Sequence, residues 1–359
     1  MDGPRAGGGA DQLRRFRRLA DLTVFATFAL ILVGGIVRVS ESGLGCGPGG
    51  SGTEGWPLCN GSAVPFFSNT EVIVEFSHRT LAAIVTALIV ALAWVAYRHL
   101  RELRWPLRTA ISAGVLVLVQ AGLGGLTVEN SLAEELVAAH LGLAMILIGV
   151  LLWISIRARV EIAALAPDAS PQARALTPQG GAVRGLKPLA AVAAGLLLCA
   201  IIAGGYVAGT EEEGVHGSGA NVAGAHLACG EAFPTCLDNR VLPFGESRLS
   251  DIHLTHRVFV YGATLAIVLL LIVALRRGVR SRLLAIAALL LFTQVLLGAL
   301  NVWLGEHATL IVAHLVTATL LWSTLLLIGY RFALSPQPVA AGAGSIAPRG
   351  QTSAAAAWR

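Results

Sequence analysis

Eight stretches of the chain stay apolar for the length of a membrane crossing, and short polar segments separate them. They cover 20–38, 73–97, 108–128, 136–156, 188–208, 253–275, 282–303 and 308–330. As a helix, about 20 apolar residues cross the hydrocarbon core of a bilayer. Residues 190–208 and 283–304 contain no charged side chain. The pattern predicts an all-α polytopic membrane protein with eight transmembrane helices. The first stretch follows Arg14, Arg15, Arg17 and Arg18 and lacks a small-residue cleavage site, so it reads as a retained span.

Composition agrees. Charged residues make up 13% of the 359 positions and hydrophobic ones 55%, whereas soluble domains carry roughly a quarter charged residues. The formal charge of +5 is unevenly placed. Basic residues gather at the N-terminus, at 98–108, at 157–187 and at 276–282, which are alternate connections. Glu41, Glu54, Glu129, Glu134, Glu135, Glu211, Glu212 and Glu213 occupy the others. The positive-inside rule then puts both termini in the cytoplasm of a multi-pass cell-membrane protein. The charge reports topology, and nucleic acid is excluded as a partner.

An internal repeat divides the chain. Gly34-Gly35 recurs as Gly204-Gly205, Trp56-Pro57-Leu58-Cys59 as Phe233-Pro234-Thr235-Cys236, and Val64-Pro65-Phe66 as Leu242-Pro243-Phe244. Ser77-His78-Arg79 recurs as Thr255-His256-Arg257, Gln120 as Gln294, and Ala139-His140-Leu141 as Ala313-His314-Leu315. With an even number of spans in each half, both halves enter the membrane from the same side, as in parallel-repeat membrane proteins. The expected organisation is two pseudo-symmetric four-helix bundles, 20–156 and 188–331. A cytoplasmic N-terminal tail (1–19), a cytoplasmic linker (157–187) and a disordered cytoplasmic tail (332–359) complete it.

Ionisable residues inside membrane helices are costly and mark function by default. Those that stand out are Glu75, His78, Arg79, His140, His253, His256, Arg257 and His314. His78 and His140 each lie a few residues into a helix that runs inward. At 1.5 Å per residue, both sit within roughly 10 Å of the outer helix ends. His256 and His314 repeat the arrangement. Two imidazoles at one depth in one bundle suit bis-histidine haem ligation; hydrogen-bonded structural histidines are the plainer alternative. Zinc fits less well, since no Cys or carboxylate completes a tetrahedral set in the second half. His99 reads as solvated, and His216, His226 and His307 as structural. Arg79 and Arg257 are placed either to pair with haem propionates or to hold the helix ends at the headgroups, and Arg38 faces the same choice.

The halves differ at one position. Glu75 stands three residues before His78, and His253 occupies the matching place before His256. A carboxylate beside a buried cofactor is expensive unless paired or reactive, so the first half looks equipped for chemistry, unless Glu75 simply pairs with Arg79, its i+4 neighbour. Four of the five cysteines fall in outer loops, Cys46 and Cys59 in the first and Cys229 and Cys236 in the third. That compartment is oxidising on this topology, so a disulfide is expected within each loop, as a staple or as a redox pair. Cys199, mid-way along the fifth span, is expected to be a small buried apolar residue.

From about Arg15 to about Arg331 the sequence resembles the haem A synthase family. The motifs are Glu75-Phe76-Ser77-His78-Arg79, Ala139-His140-Leu141, Thr255-His256-Arg257, Ala313-His314-Leu315 and the paired-cysteine loops, including Trp56-Pro57-Leu58-Cys59-Asn60-Gly61. The resemblance implies oxidation of the C8 methyl of haem O to a formyl, giving haem A for oxidases of the cytochrome c oxidase type, with oxygen from water. It implies that His78 and His140 hold the substrate haem O and that Glu75 assists at the methyl. It further implies that His256 and His314 ligate a resident haem b and that Cys46 and Cys59 are the pair associated with activity. A haem O synthase, an electron acceptor and a second copy of the chain are the candidate protein partners, beside membrane lipid. The main alternative is a two-haem b-type electron-transfer protein, which needs the same four histidines but gives Glu75 nothing to do. A transporter would want polar groups at the midplane, where only Gln120 and Gln294 stand out.

Overall fold

A computed structural model of the chain describes residues 5–165, 185–210, 224–305 and 307–334. Most of the predicted linker, the tail beyond 334, Glu211, Glu212, Glu213 and His216 lie outside the described residues. Among the described residues eight long helices follow one another: α1 (Arg5–Val39), α2 (Thr70–His99), α3 (Arg104–Glu129), α4 (Glu134–Ala164), α5 (Leu186–Gly209), α6 (Arg248–Arg276), α7 (Arg282–Trp303) and α8 (Ala308–Leu334). Each is long and apolar enough to cross a membrane. Outward faces carry large apolar side chains such as Leu118, Leu289 and Phe292, which belong in lipid. The chain is a multi-pass membrane protein.

Helices α1–α4 form one bundle, each packing on the next with α4 returning to α1, and α5–α8 form the second. The halves meet where α4 packs on α5 and α8, and α1 on α8. Lipid gives no hydrophobic push between helices, so close backbone approach and hydrogen bonds hold such seams. Trp322 donates from Nε1 to the Met145 carbonyl over 2.8 Å. The Tyr330 hydroxyl donates to the Gly149 carbonyl over 3.0 Å, and a Cβ at Gly149 would meet Leu326 at 2.9 Å. The second glycine of each repeated Gly-Gly pair packs across the seam. A Cβ on Gly35 of α1 would strike Leu315 of α8 at 2.5 Å, and one on Gly205 of α5 would meet Leu141 of α4 at 3.0 Å.

Several boundaries differ from the sequence reading. α1 begins at Arg5, so most of the expected N-terminal tail is helical. Leu13 and Phe16 within it are fully buried, and the Phe16 ring meets Trp105 edge-on with centroids 6.1 Å apart. Arginines between these positions point outward, and the apolar residues extend the core. α4 likewise runs to Ala164, past the expected start of the linker. Asp21, inside the first span, escaped notice. It accepts hydrogen bonds from Ser155 and from Arg159 (3.1 Å), joining α1 to α4. Cys199 is exposed on the outward face of α5 rather than buried, because Ala193, Leu197 and Ala200 take the inward face.

Candidate haem sites

In each half the first helix is followed by a disulfide-closed loop laid over the end of the bundle. Cys46 bonds Cys59, and Cys229 bonds Cys236. Both expected pairings are present, and the loops share a further detail, a cis peptide at Trp56-Pro57 and at Phe233-Pro234. Asn69 caps α2 by accepting from the Val72 amide at 2.9 Å, and Ser247 with Ser250 forms a capping box on α6. Both caps fix the helix start a short way before the first histidine of their half.

The histidines follow one rule. Each rests against a glycine of the preceding helix, where a side chain would collide with the ring. A Cβ on Gly34 would lie 3.1 Å from Cε1 of His78, and one on Gly124 3.1 Å from Cε1 of His140. In the second half Gly204 stands to His256 at 2.9 Å, and Gly298 to His314 at 3.2 Å. All four rings are half-buried. His78 and His140 stand on α2 and α4 of the first bundle, and His256 and His314 on α6 and α8 of the second.

The ring nitrogens show what these sites suit. Nδ1 of His78, of His140 and of His314 is buried without a hydrogen-bond partner. His256 donates from Nδ1 to the Ala200 carbonyl over 2.9 Å in the tautomer that leaves Nε2 as the electron-pair donor. Such a bond orients a metal-ligating imidazole. Gln294 contacts Nε2 of His314 at 3.0 Å, while its repeat-mate Gln120 donates instead to the His140 carbonyl over 2.9 Å. No group of three or more His, Cys, Asp or Glu able to hold a metal ion occurs among the described residues. Nitrogen donors in pairs, with glycines opening the space around them, fit axial ligation of a planar macrocycle and do not fit a tetrahedral zinc site.

Both arginines after the first histidines turn onto the loops. Arg79 pairs with Glu75 and donates to the carbonyls of Gly55 (2.6 Å) and Leu58 (2.7 Å). Arg257, only 3% exposed, donates to the carbonyls of Thr235 (2.6 Å) and Ala232 (3.0 Å). Arg38 donates to the Ala208 carbonyl over 2.7 Å, joining the ends of α1 and α5. A hydrogen bond from a charged donor is worth about 1.5–3 kcal/mol, so Arg79 and Arg257 hold the loops down. Sequence reasoning missed this task, because a backbone carbonyl leaves no mark in a sequence.

Glu75 and His253 complete the difference between halves. Glu75 is 4% exposed. One of its oxygens takes the Arg79 guanidinium, and the other accepts from the Cys46 amide at 2.7 Å. Gly45 makes that reach possible, since a Cβ there would meet the backbone of Glu71 at 2.5 Å. His253 occupies the corresponding place, and its Nδ1 bonds the Ala225 carbonyl at 2.8 Å. Both positions tether the loop; only the first is a carboxyl group. His226 lies in the short turn Ala225–Leu227 beside His253, and His99 and His307 are exposed.

Fold and sites together define a class: membrane proteins of two like four-helix bundles, each with a pair of histidines beneath a disulfide-closed loop. Residues 17–326 match the COX15-CtaA family of cytochrome oxidase assembly proteins, and the chain belongs to that family. It is 28% identical over 320 residues to the heme A synthase of Halalkalibacterium halodurans, covering 87% of this chain and 95% of the relative. The heme A synthases of Bacillus mycoides (strain KBAB4) and Bacillus cereus (strain AH187) are each 34% identical over 138 residues, 37% of this chain and 42% of the relative. These likenesses do not favour a bare electron-transfer cytochrome.

Proposed function

We propose that the chain is a haem A synthase, oxidising the C8 methyl of haem O to the formyl of haem A for a terminal oxidase of the cytochrome c oxidase type. The carrying observation is a pair of histidines in each bundle, every ring seated against a glycine of the preceding helix, with a carboxyl group, Glu75, three residues before the first histidine of one half only. The named relatives and the family match support the reading.

In this reading His78 and His140 hold the substrate haem O, and His256 and His314 hold a resident haem b. A bound haem in the second half supplies one-electron redox chemistry, which suits passing on the electrons that methyl oxidation releases. Glu75 serves the methyl. Its charge is already offset by Arg79 and its oxygens accept from Arg79 and the Cys46 amide, so it offers little net field to a developing cation and takes a proton from water only by giving up one of these bonds. Arg79 and Arg257 act by holding the loops. The disulfide loops lie outside the cell membrane and both termini in the cytoplasm, as the charge pattern requires. An electron acceptor and a haem O synthase are the partners this chemistry calls for.

Expression in a host that makes haem O, followed by haem extraction, tests the reading. Haem A is expected with the native chain, and Glu75→Gln is expected to retain haem and yield none. A native protein that binds haem yet never yields an oxidised haem O product, with an electron acceptor supplied, overturns it.

A further inference from the structure

At the end of the bundles opposite the disulfide loops, the turn between α2 and α3 shapes a cavity of about 360 Å³. Its walls are Tyr97, Arg101, Leu103, Arg104, Leu107 and Arg108. None of the three arginines meets a carboxylate within ion-pair distance among the described residues. Arg104 and Arg108 stand at i and i+4 of one helix, where like charges repel. Arg101 lies over the Tyr97 ring at 4.0 Å and donates from Nε to the Tyr97 carbonyl, which aims its planar head and leaves the terminal nitrogens free.

The start of α3 adds to the same field. Leu103 precedes it and offers no side-chain cap. The matching helix of the second half, α7, is capped by Ser281, which accepts from the Leu283 amide at 3.2 Å. Pro106 has no N–H, so the Arg104 and Trp105 amides are the ones at the start of α3 left without a side-chain cap, whereas the Leu283 amide of α7 is taken by Ser281. Depth settles which anion. Trp94 and Tyr97 are 61% and 46% exposed, and Arg98 lies over the Trp94 ring at 5.8 Å. Outward-facing Trp and Tyr beside arginines mark the headgroup layer of a bilayer. Leu103 and Leu107 give the cavity an apolar wall on which an acyl chain can lie.

We propose that this cavity binds the phosphate of an anionic phospholipid headgroup, held by Arg101, Arg104, Arg108 and the Arg104 and Trp105 amides at the start of α3. Basic pockets at the ends of membrane helices recognise such headgroups by charge and hydrogen bonding. The corresponding α6–α7 turn carries Arg276, Arg277, Arg280 and Arg282, but Ser281 caps the helix that follows it, so the α2–α3 site is expected to hold its lipid more tightly.

Full-length protein in an uncharged detergent would be tested by native mass spectrometry and thermal melting with phosphatidylglycerol, phosphatidylcholine or inorganic phosphate. Phosphatidylglycerol should be retained as a single adduct and raise the melting temperature. Arg104→Gln with Arg108→Gln should weaken it at least tenfold, while Arg280→Gln with Arg282→Gln should leave it unchanged. If the double variant at 104 and 108 does not fold, Arg101→Gln alone should still weaken retention. Equal retention of phosphatidylcholine, or undiminished binding in the 104/108 or 101 variants, overturns the proposal. A melting shift produced by inorganic phosphate alone overturns its lipid source.

Discussion

The Cys46 amide donates to Oε2 of Glu75 across 2.7 Å, so the carboxyl group is bound to the disulfide loop as well as to its own helix. With Cys59 joined to Cys46 and Arg79 holding the carbonyl of Leu58, loop and carboxyl form one closed unit. A closed loop of about this length contributes about 3 kcal/mol through the chain entropy it removes. Cys46→Ser with Cys59→Ser should lower haem A yield while leaving the second-half haem in place. Haem composition per protein, read against Cys229→Ser with Cys236→Ser, checks this. Equal haem A losses in both double variants would show that the first loop has no special bearing on Glu75.

Arg79 and Arg257 should differ in what their removal costs. Arg79→Ala strands the Gly55 and Leu58 carbonyls and in addition leaves Glu75 buried without its counter-charge, and breaking such a pair costs about 3–5 kcal/mol. Arg257→Ala strands the Thr235 and Ala232 carbonyls but no charge, at about 1–3 kcal/mol for each unsatisfied group. The melting temperature should fall further for Arg79→Ala. Arg79→Ala with Glu75→Gln should recover part of that loss, because the uncompensated charge goes with the carboxylate.

The glycines facing the rings give a way to empty one site at a time. Gly34→Leu drives a side chain into His78, and Gly204→Leu does the same to His256. Each should cost about half the haem bound per protein while sparing the other half. The pyridine haemochrome spectrum, quantified against protein, measures it. Loss of all haem from either variant would mean that the two bundles do not load independently.

Ligand replacement tests the histidines themselves. His140→Gly should lose first-half haem and regain it when free imidazole is added, since the vacated space fits the missing ring. His253→Gly should show no such rescue, because its Nδ1 is committed to the Ala225 carbonyl. Haem retention with and without imidazole distinguishes a ligand from a structural ring.

Much of this was legible from residue order. Long apolar runs announced the eight helices, and repeated His, Gly and Cys landmarks announced the twin bundles and both disulfides. The pairing of Glu75 with Arg79 was visible as an i, i+4 spacing. Other features left little trace. The loop contacts of Arg79 and Arg257 end on carbonyls, which every residue carries. Asp21 reaches Ser155 and Arg159 on α4, a long-range match that no local pattern encodes. The outward turn of Cys199 depends on which face of α5 meets its neighbours, and an apolar run with lipid on one side and protein on the other looks alike on both. α1 starts early because Leu13 and Phe16 sit among arginines, which masks their apolar face in any averaged hydropathy.

The seam between the bundles is reciprocal. Gly35 of α1 receives Leu315 of α8, and Gly205 of α5 receives Leu141 of α4. Every half thus owns a notch and a knob, the self-complementary arrangement of a twofold dimer. Two copies of a single bundle would meet through the same surfaces, so the covalent link adds proximity rather than a new fit. Freed from identical partners, one bundle could take on a carboxyl group while its twin did without.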